Sequence, residues 1–405
     1  MTRGHGPIGG ALAVALLLTG CTGGGPTLTP ATGAPATRSP APPVAADETA
    51  ALGLTWADGA PVLVGDLTAA RDVVAGVDYA RDATVMDLLP VRARTDGSLV
   101  VQQAGAADMG EMKIVESDVL GTIRPGGVMA PLSEDSDAVA RTVVEVDVSD
   151  EAVAWTDTTS LHYTDWRILT VSGTGAAVVV ASSDDFEGVG QVGPEPQPTL
   201  FDERVYFTVP GPGSPGDGTY TPGTLVSRAP DGSDHRIDVE DVDWTAATES
   251  GLYVAQGREN ETTTISAVQP DGVVGPILEA PTAIYTVAAH GRWLALDTGT
   301  HAVVLDPTTR EAYALPVAES AQVSSVSIGD DLVAWTFFGE RSDVQVPSVV
   351  IDLRAKQVLR LMGFAEALGG DLVALRWWEE DGAAADASGS ATATLVRWQR
   401  ATAAP

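Results

Sequence analysis

The chain has 405 residues, 44% of them apolar, enough to bury a large core in one repeat array or in two to three ordinary domains. Acidic residues outnumber basic ones 55 to 23, and Lys113 and Lys356 are the only lysines. No basic patch is available to neutralise phosphates, so nucleic acid and anionic lipid surfaces are not expected partners.

The first twenty residues, MTRGHGPIGGALAVALLLTG, set Arg3 ahead of an apolar run from Ala11 to Leu18 that is too short to span a bilayer. Residues 1–20 therefore read as an export signal. The segment ends in Leu18-Thr19-Gly20-Cys21, which resembles the bacterial lipobox, whose cysteine is lipidated and then becomes the new N-terminus. Cys21 is the only cysteine, so no intramolecular disulfide can form, which suits a lipid role. Two or three acyl chains anchor where one does not, because each buried methylene contributes roughly 0.8 kcal/mol. Residues 21–46, rich in Pro, Gly, Thr and Ala, read as a flexible tether reaching roughly 25–30 Å as a coil.

Residues 47–405 read as one domain. GLTWADGAPVLVG, residues 53 to 65, is a strand pair with no unit of its own, and 66–80 could form a short helix. A phrase then recurs seven times, in full as IGDDLVAWTF from 328 and LGGDLVALRW from 368, and more weakly from 95, 149, 201, 249 and 289. Its strands place Val100, Val153, Tyr206, Tyr253, Leu294, Val333 and Val373 in equivalent positions, spaced by 53, 53, 47, 41, 39 and 40 residues. Periods of about 40 to 50 suggest propeller blades.

Each copy follows a β-branched stretch and a short turn, and a second hairpin comes after it, as in AVVLDPTTREAYAL and SVVIDLRAKQVLRL. Four antiparallel strands per unit result. The expected fold is all-β: a β-propeller of seven four-stranded blades, with the N-terminal strand pair completing a last unit that lacks a fourth strand. A β-sandwich would not explain seven copies, and a helical repeat would need a 3.6-residue stripe that is missing. The unit IGDDLVAWTFFGERSDVQVPSVVIDLRAKQVLRL resembles the repeats of TolB-like propellers. That resemblance implies the fold and an envelope setting.

With strands named a to d outward from the axis, b–c and d–a connections share one face, and there the b–c insertions are long and varied. Long loops on a rigid scaffold are where binding usually resides. The candidate face comprises His162, Tyr163, Asp165, Trp166, Tyr220, Phe337, Phe338, Glu340, Arg341, Trp377, Trp378, Glu379 and Glu380. Aromatics beside charges suit protein or glycan contact, because rings supply area and charges orient the ligand.

Catalytic signals are poor. The Gly188-Val189-Gly190-Gln191-Val192-Gly193 match precedes PEPQP and not a helix, no Gly-x-Ser-x-Gly occurs, and His162, His235, His290 and His301 are isolated. The acidic string Asp238, Glu240, Asp241, Asp243 lacks the spacing of an EF-hand loop. No catalytic residue, metal or cofactor is expected. The sequence thus points to a monomeric lipoprotein outside the cytoplasm, anchored to the bacterial cell membrane through Cys21, whose loop face binds an envelope protein or glycan. The alternative is a propeller lyase or hydrolase acting on envelope carbohydrate, its groups meeting at the channel mouth only after folding.

Overall fold

The computed structural model describes residues 52–399, apart from 81–83, 87, 109–112, 125–126, 134–138, 161–164, 174, 187–193, 212–220, 258–261, 270–271, 273, 318–320, 340–347, 362 and 378–392. Among the described residues no helix is long and apolar enough to cross a membrane. The turn-rich punctuation and period-2 apolar pattern produce seven antiparallel sheets arranged as blades. Blades 1 to 6 cover residues 89–131, 142–182, 199–242, 244–280, 286–316 and 321–361, and blade 7 covers 363–397 plus one strand from the N-terminal region.

The recurring phrase forms strand b in every blade: Leu99–Gln103, Ala152–Thr158, Arg204–Pro210, Gly251–Gln256, Trp293–Asp297, Leu332–Gly339 and Leu372–Trp377. Its alternation decides which neighbour each side chain meets. In blade 6, Val333, Trp335 and Phe337 pack against blade 5, whereas Leu332 and Ala334 pack against blade 7. The buried apolar residues fall into seven clusters, one in each seam between adjacent blades, including the seam that joins blade 7 back to blade 1 through Leu99, Val101, Ala374 and Leu395. Seven seams for seven blades close the ring.

Aspartates finish the outer hairpins. The Asp306 carboxylate accepts from the backbone N–H groups of Thr308 and Thr309 at 2.8 and 3.1 Å, and that of Asp352 accepts from Ala355 at 2.9 Å. These Asx turns explain why DPTT and DLRA stand where the chain reverses.

An N-terminal strand closes blade 7, as expected, but it is Thr84–Met86, paired antiparallel with Ala393–Leu395, and not the 53–65 pair. Within 53–65, Thr55–Trp56 instead adds a fifth strand to blade 4, opposite Leu278 and Glu279. The 66–80 segment contains no helix. Arg71–Asp72 runs parallel to Leu359 and Arg360 on blade 6, and Asp78 accepts from Arg71 at 2.7 Å and from the Val74 N–H at 2.8 Å. Residues 52–80 and 84–86 thereby form a belt around the rim of four consecutive blades. Gly65 bonds to Ala312 of blade 5, Thr68 to Lys356 of blade 6, and Ala80 to Arg397 of blade 7. The belt is anchored in the seam of blades 4 and 5 by Leu52, Leu54, Trp56 and Val62. At its start Gly53 has φ +63°, and a Cβ there would lie 2.8 Å from Pro281 Cγ, so the close approach needs glycine.

Candidate functional site

Connection lengths make the two faces of the ring unlike. The a–b turns take two residues in most blades and at most five, at 94–98. The b–c connections range from three residues in blade 5 to fifteen in blades 1 and 7, and the d–a connections 132–141 and 183–198 lie on the same face. The long-loop face is thus distinct, and it is fullest around blades 7, 1, 2 and 3.

Most of the expected binding set, namely His162, Tyr163, Tyr220, Glu340, Arg341, Trp378, Glu379 and Glu380, lies outside the described residues. Phe338 lies one residue before the end of the b strand of blade 6, and Trp377 ends that of blade 7, both at the long-loop face, their backbones paired with Gln322 and Gly363. Trp166 and Phe337 serve the core. Trp166 has no exposed surface and packs on Phe186 and Phe207 in the seam of blades 2 and 3, and Phe337 is buried in the seam of blades 5 and 6.

Asp165 is half exposed and fixed in an ion network. Arg141 reaches both Asp157 (3.0 Å) and Asp165 (3.1 Å), Arg167 holds the other oxygen of Asp157 at 2.8 Å, and the Thr159 hydroxyl donates to Asp165 at 2.7 Å. Planar guanidinium forks on shared carboxylates give geometric rigidity. A second tie crosses from blade 1 to blade 2: the Asp118 carboxylate accepts from the Gln102 side chain (2.9 Å), the Thr142 hydroxyl (2.7 Å), and the backbone N–H groups of Val143 (2.8 Å) and Gly105. Replacing Asp118 by Ala orphans these donors. The expected result is a loss of about 2–3 kcal/mol in urea unfolding, the upper range for hydrogen bonds to a charged acceptor.

The other functional feature is the axial channel, which composition did not announce. The a strands of all seven blades line a volume of about 190 Å³, walled chiefly by small apolar and hydroxyl side chains such as Val91, Val146, Ala246, Val287, Val326 and Ser327. Two charged residues enter it immediately after β-bulges. The register of blade 1 slips between Pro90 and Arg92, and that of blade 2 between Val143 and Glu145. Bulges bend a strand and re-aim its side chains, and they recur beside functional sites.

Towards the short-turn end the channel is occupied by Arg92, whose guanidinium spans to the Ile328 carbonyl of blade 6 at 2.7 Å. Around it, His290 Nε2 sits 3.5 Å from Asp330. Burial, then the charge of Arg92, push the imidazole down to about 4. Asp147 is committed, accepting from the Leu200 N–H at 2.7 Å.

Farther towards the long-loop end the balance reverses. Burial and the neighbouring Glu195 push the Glu145 carboxyl up to about 8, and burial pushes Glu195 up to about 7. Both side chains are half-buried, and Glu145 lines the channel. At blade 5's loop-face end, burial raises Asp297 to about 6 although it accepts from the Gly299 N–H at 2.7 Å. Among the described residues no three His, Cys, Asp or Glu converge as metal ligands.

The Glu145 pair escaped the sequence reading because TVVEVDV has the period of any half-solvated strand. A carboxylate facing a channel and one facing bulk water leave the same trace. The signal available was position: a charged residue on the innermost strand beside a bulge can be turned into the channel.

No family model matches the chain, and neither does any curated protein. Solved structures similar to it include a puromycin hydrolase S511A mutant complexed with PGG (14% identity, TM-score 0.44, 75% of this chain and 53% of that one). Others are a prolyl endopeptidase (13%, 0.46, 74% and 45%) and the PQQ-bound aldose sugar dehydrogenase from Streptomyces coelicolor (14%, 0.37, 79% and 100%). The chain spans about half the length of the puromycin hydrolase and of the prolyl endopeptidase. At these identities the likeness concerns fold alone, and the assignment as a seven-bladed β-propeller rests on the strand pairing and the seven seams of this chain.

Proposed function

We propose that the chain is an extracytoplasmic binding module: residues 1–20 an export signal, 21–46 a tether acylated at Cys21, and the remainder a TolB-like propeller whose long-loop face engages a protein or glycan of the cell envelope. The single observation that supports it most is the asymmetry of the ring, with turns of two to seven residues on one face and connections of up to sixteen on the other. The Arg141–Asp157–Arg167–Asp165 network and the Asp118 tie brace that face beneath its loops. A second reading, a lyase or hydrolase acting on envelope carbohydrate, draws on Glu145, which lines the channel and whose carboxyl burial raises to about 8.

Cys21→Ala should shift the protein from the membrane to the soluble fraction, and retention on membranes would contradict the anchor. Partner engagement is tested by capture from envelope extract with the intact chain and with a Phe338→Ala, Trp378→Ala variant. Loss of one defined partner in the variant is expected, and identical captured sets would overturn the choice of face. Release of reducing ends from envelope glycan, abolished by Glu145→Gln, would favour the enzyme reading instead.

A further inference from the structure

The inner edge of the ring carries an inference independent of the anchor and of any partner. We propose that Arg92 is a clasp that closes the ring from inside: it ties blade 1 to blade 6, bypassing blade 7 between them, and so controls the opening of blade 7.

The need for a clasp lies in how blade 7 is built. Each of the other six blades draws its strands a to d from one stretch of chain, whereas blade 7 takes strands a to c from 363–397 and strand d from 84–86. That d strand pairs over three residues only, Thr84 to Met86 against Leu395 to Ala393. In blade 5 the corresponding pair runs over five, from His301 to Leu305. Stability within a fold is uneven and follows local pairing and burial, so the blade completed by the shortest strand is the one that opens first.

Arg92 stands where it counters that opening. The register slip between Pro90 and Arg92 turns the side chain into the axial space, and Nη1 donates to the Ile328 carbonyl at 2.7 Å, joining residues 236 apart in sequence. Ile328 ends strand a of blade 6, so the bond links the innermost strands of the two blades that flank blade 7. Blade 7 is pared down at this end. A Cβ on its Gly369, whose φ is +127°, would lie 3.4 Å from the Ala93 carbonyl oxygen of blade 1, and one on Gly329 of blade 6 would lie 3.1 Å from the Gly369 nitrogen. The main chains of blades 6, 7 and 1 are therefore in contact beside the axis, and the Ala367 N–H donates to Ser327 Oγ at 2.8 Å. A hydrogen bond from a charged donor is stronger than a neutral one, and Asp147 and Asp330 supply opposite charge around the guanidinium.

Two fastenings thus hold the closing blade, strand pairing at the rim and the Arg92 bond at the axis. Release of the inner one lets blade 7 open as a unit before the rest of the ring unfolds. The effect reaches the long-loop face, because strand b of blade 7 carries Trp377 to it.

The test is amide hydrogen exchange of the full chain, read by mass spectrometry at rising urea below the unfolding transition. In the intact protein, peptides from 363–369 and 393–397 should report an opening with a shallower urea dependence than those from 204–210 and 251–256 in blades 3 and 4, because one blade exposes less surface than the whole ring. Arg92→Met keeps the stem and removes the donors. It should speed exchange in the two blade 7 peptides at least about tenfold without urea, the effect of losing one charge-assisted hydrogen bond. Arg92→Lys keeps the charge but not the planar fork and should give the same pattern at about threefold. The intact chain and the Lys variant decide the matter if Arg92→Met does not fold. One urea dependence shared by blades 3, 4 and 7, or unchanged exchange of blade 7 in a folded variant, overturns the proposal.

Discussion

Trp56→Ala is expected to remove about 3–5 kcal/mol of stability, the usual cost of truncating a buried tryptophan, although Trp56 belongs to no blade's four strands. Its ring is 4% exposed and lies in the seam of blades 4 and 5 beside Leu278, Ile284 and Leu305. The Arg310 guanidinium covers the other face at 5.2 Å from the ring centroid. The Ala57 N–H bonds to the Ile277 carbonyl at 3.0 Å, so the side chain and the strand addition stand or fall together. Loss of this anchor also loosens the belt that delivers Thr84–Met86 to blade 7, the strand on which ring closure depends. The urea midpoint should therefore fall in one transition. A Leu63→Ala control, 65% exposed on the same belt, should stay within about 0.5 kcal/mol. A Trp56→Ala midpoint equal to that of the intact chain would show that the belt is an ornament of the rim and not part of its fold.

The blades were legible because strand b follows a tight turn with a short apolar run buried on both faces, and every copy of the phrase became that strand. Closure was legible only in outline. A propeller missing a fourth strand needs one from elsewhere, but the three residues of Thr84–Met86 are too few to carry a pattern. The conspicuous 53–65 segment was drawn to a different edge by Leu52, Leu54 and Trp56 filling the seam of blades 4 and 5. The same physics misdirects the reading of aromatics. Phe337 lies two residues beyond Trp335 on one strand, so both point into one seam, although the Gly-Glu-Arg that follows makes it look exposed. Trp166 opens a strand c and falls likewise inward, against Phe207. Alternation within a strand was therefore a better guide to these rings than the polarity of their sequence neighbours.

Stability should fall as pH rises from about 6.5 to about 8, opposite to the behaviour of a protein held by ordinary carboxylates. Glu145 and Glu195 have folded values near 8 and 7, above the 4.5 of an unhindered glutamate. The native state thus holds more protons than the unfolded chain in this window, and each group contributes stability that is complete below about 4.5 and disappears as pH passes its folded value. The slope is about 1.4 kcal/mol per pH unit for each group while its window lasts. His290 opposes this only on the acid side. Its folded value near 4 means that the unfolded chain takes up the extra proton between about 4 and 6.5, so its contribution rises with pH there and is complete above. Asp297, raised to about 6, acts in the same sense as the glutamates but is finished by then. Glu145→Gln, Glu195→Gln fixes the pair in a neutral form. The variant should match the intact chain near pH 5 and exceed it by about 2 kcal/mol or more near pH 8.5, read from urea midpoints across the range. Parallel curves for the two proteins would remove the buried pair as the source.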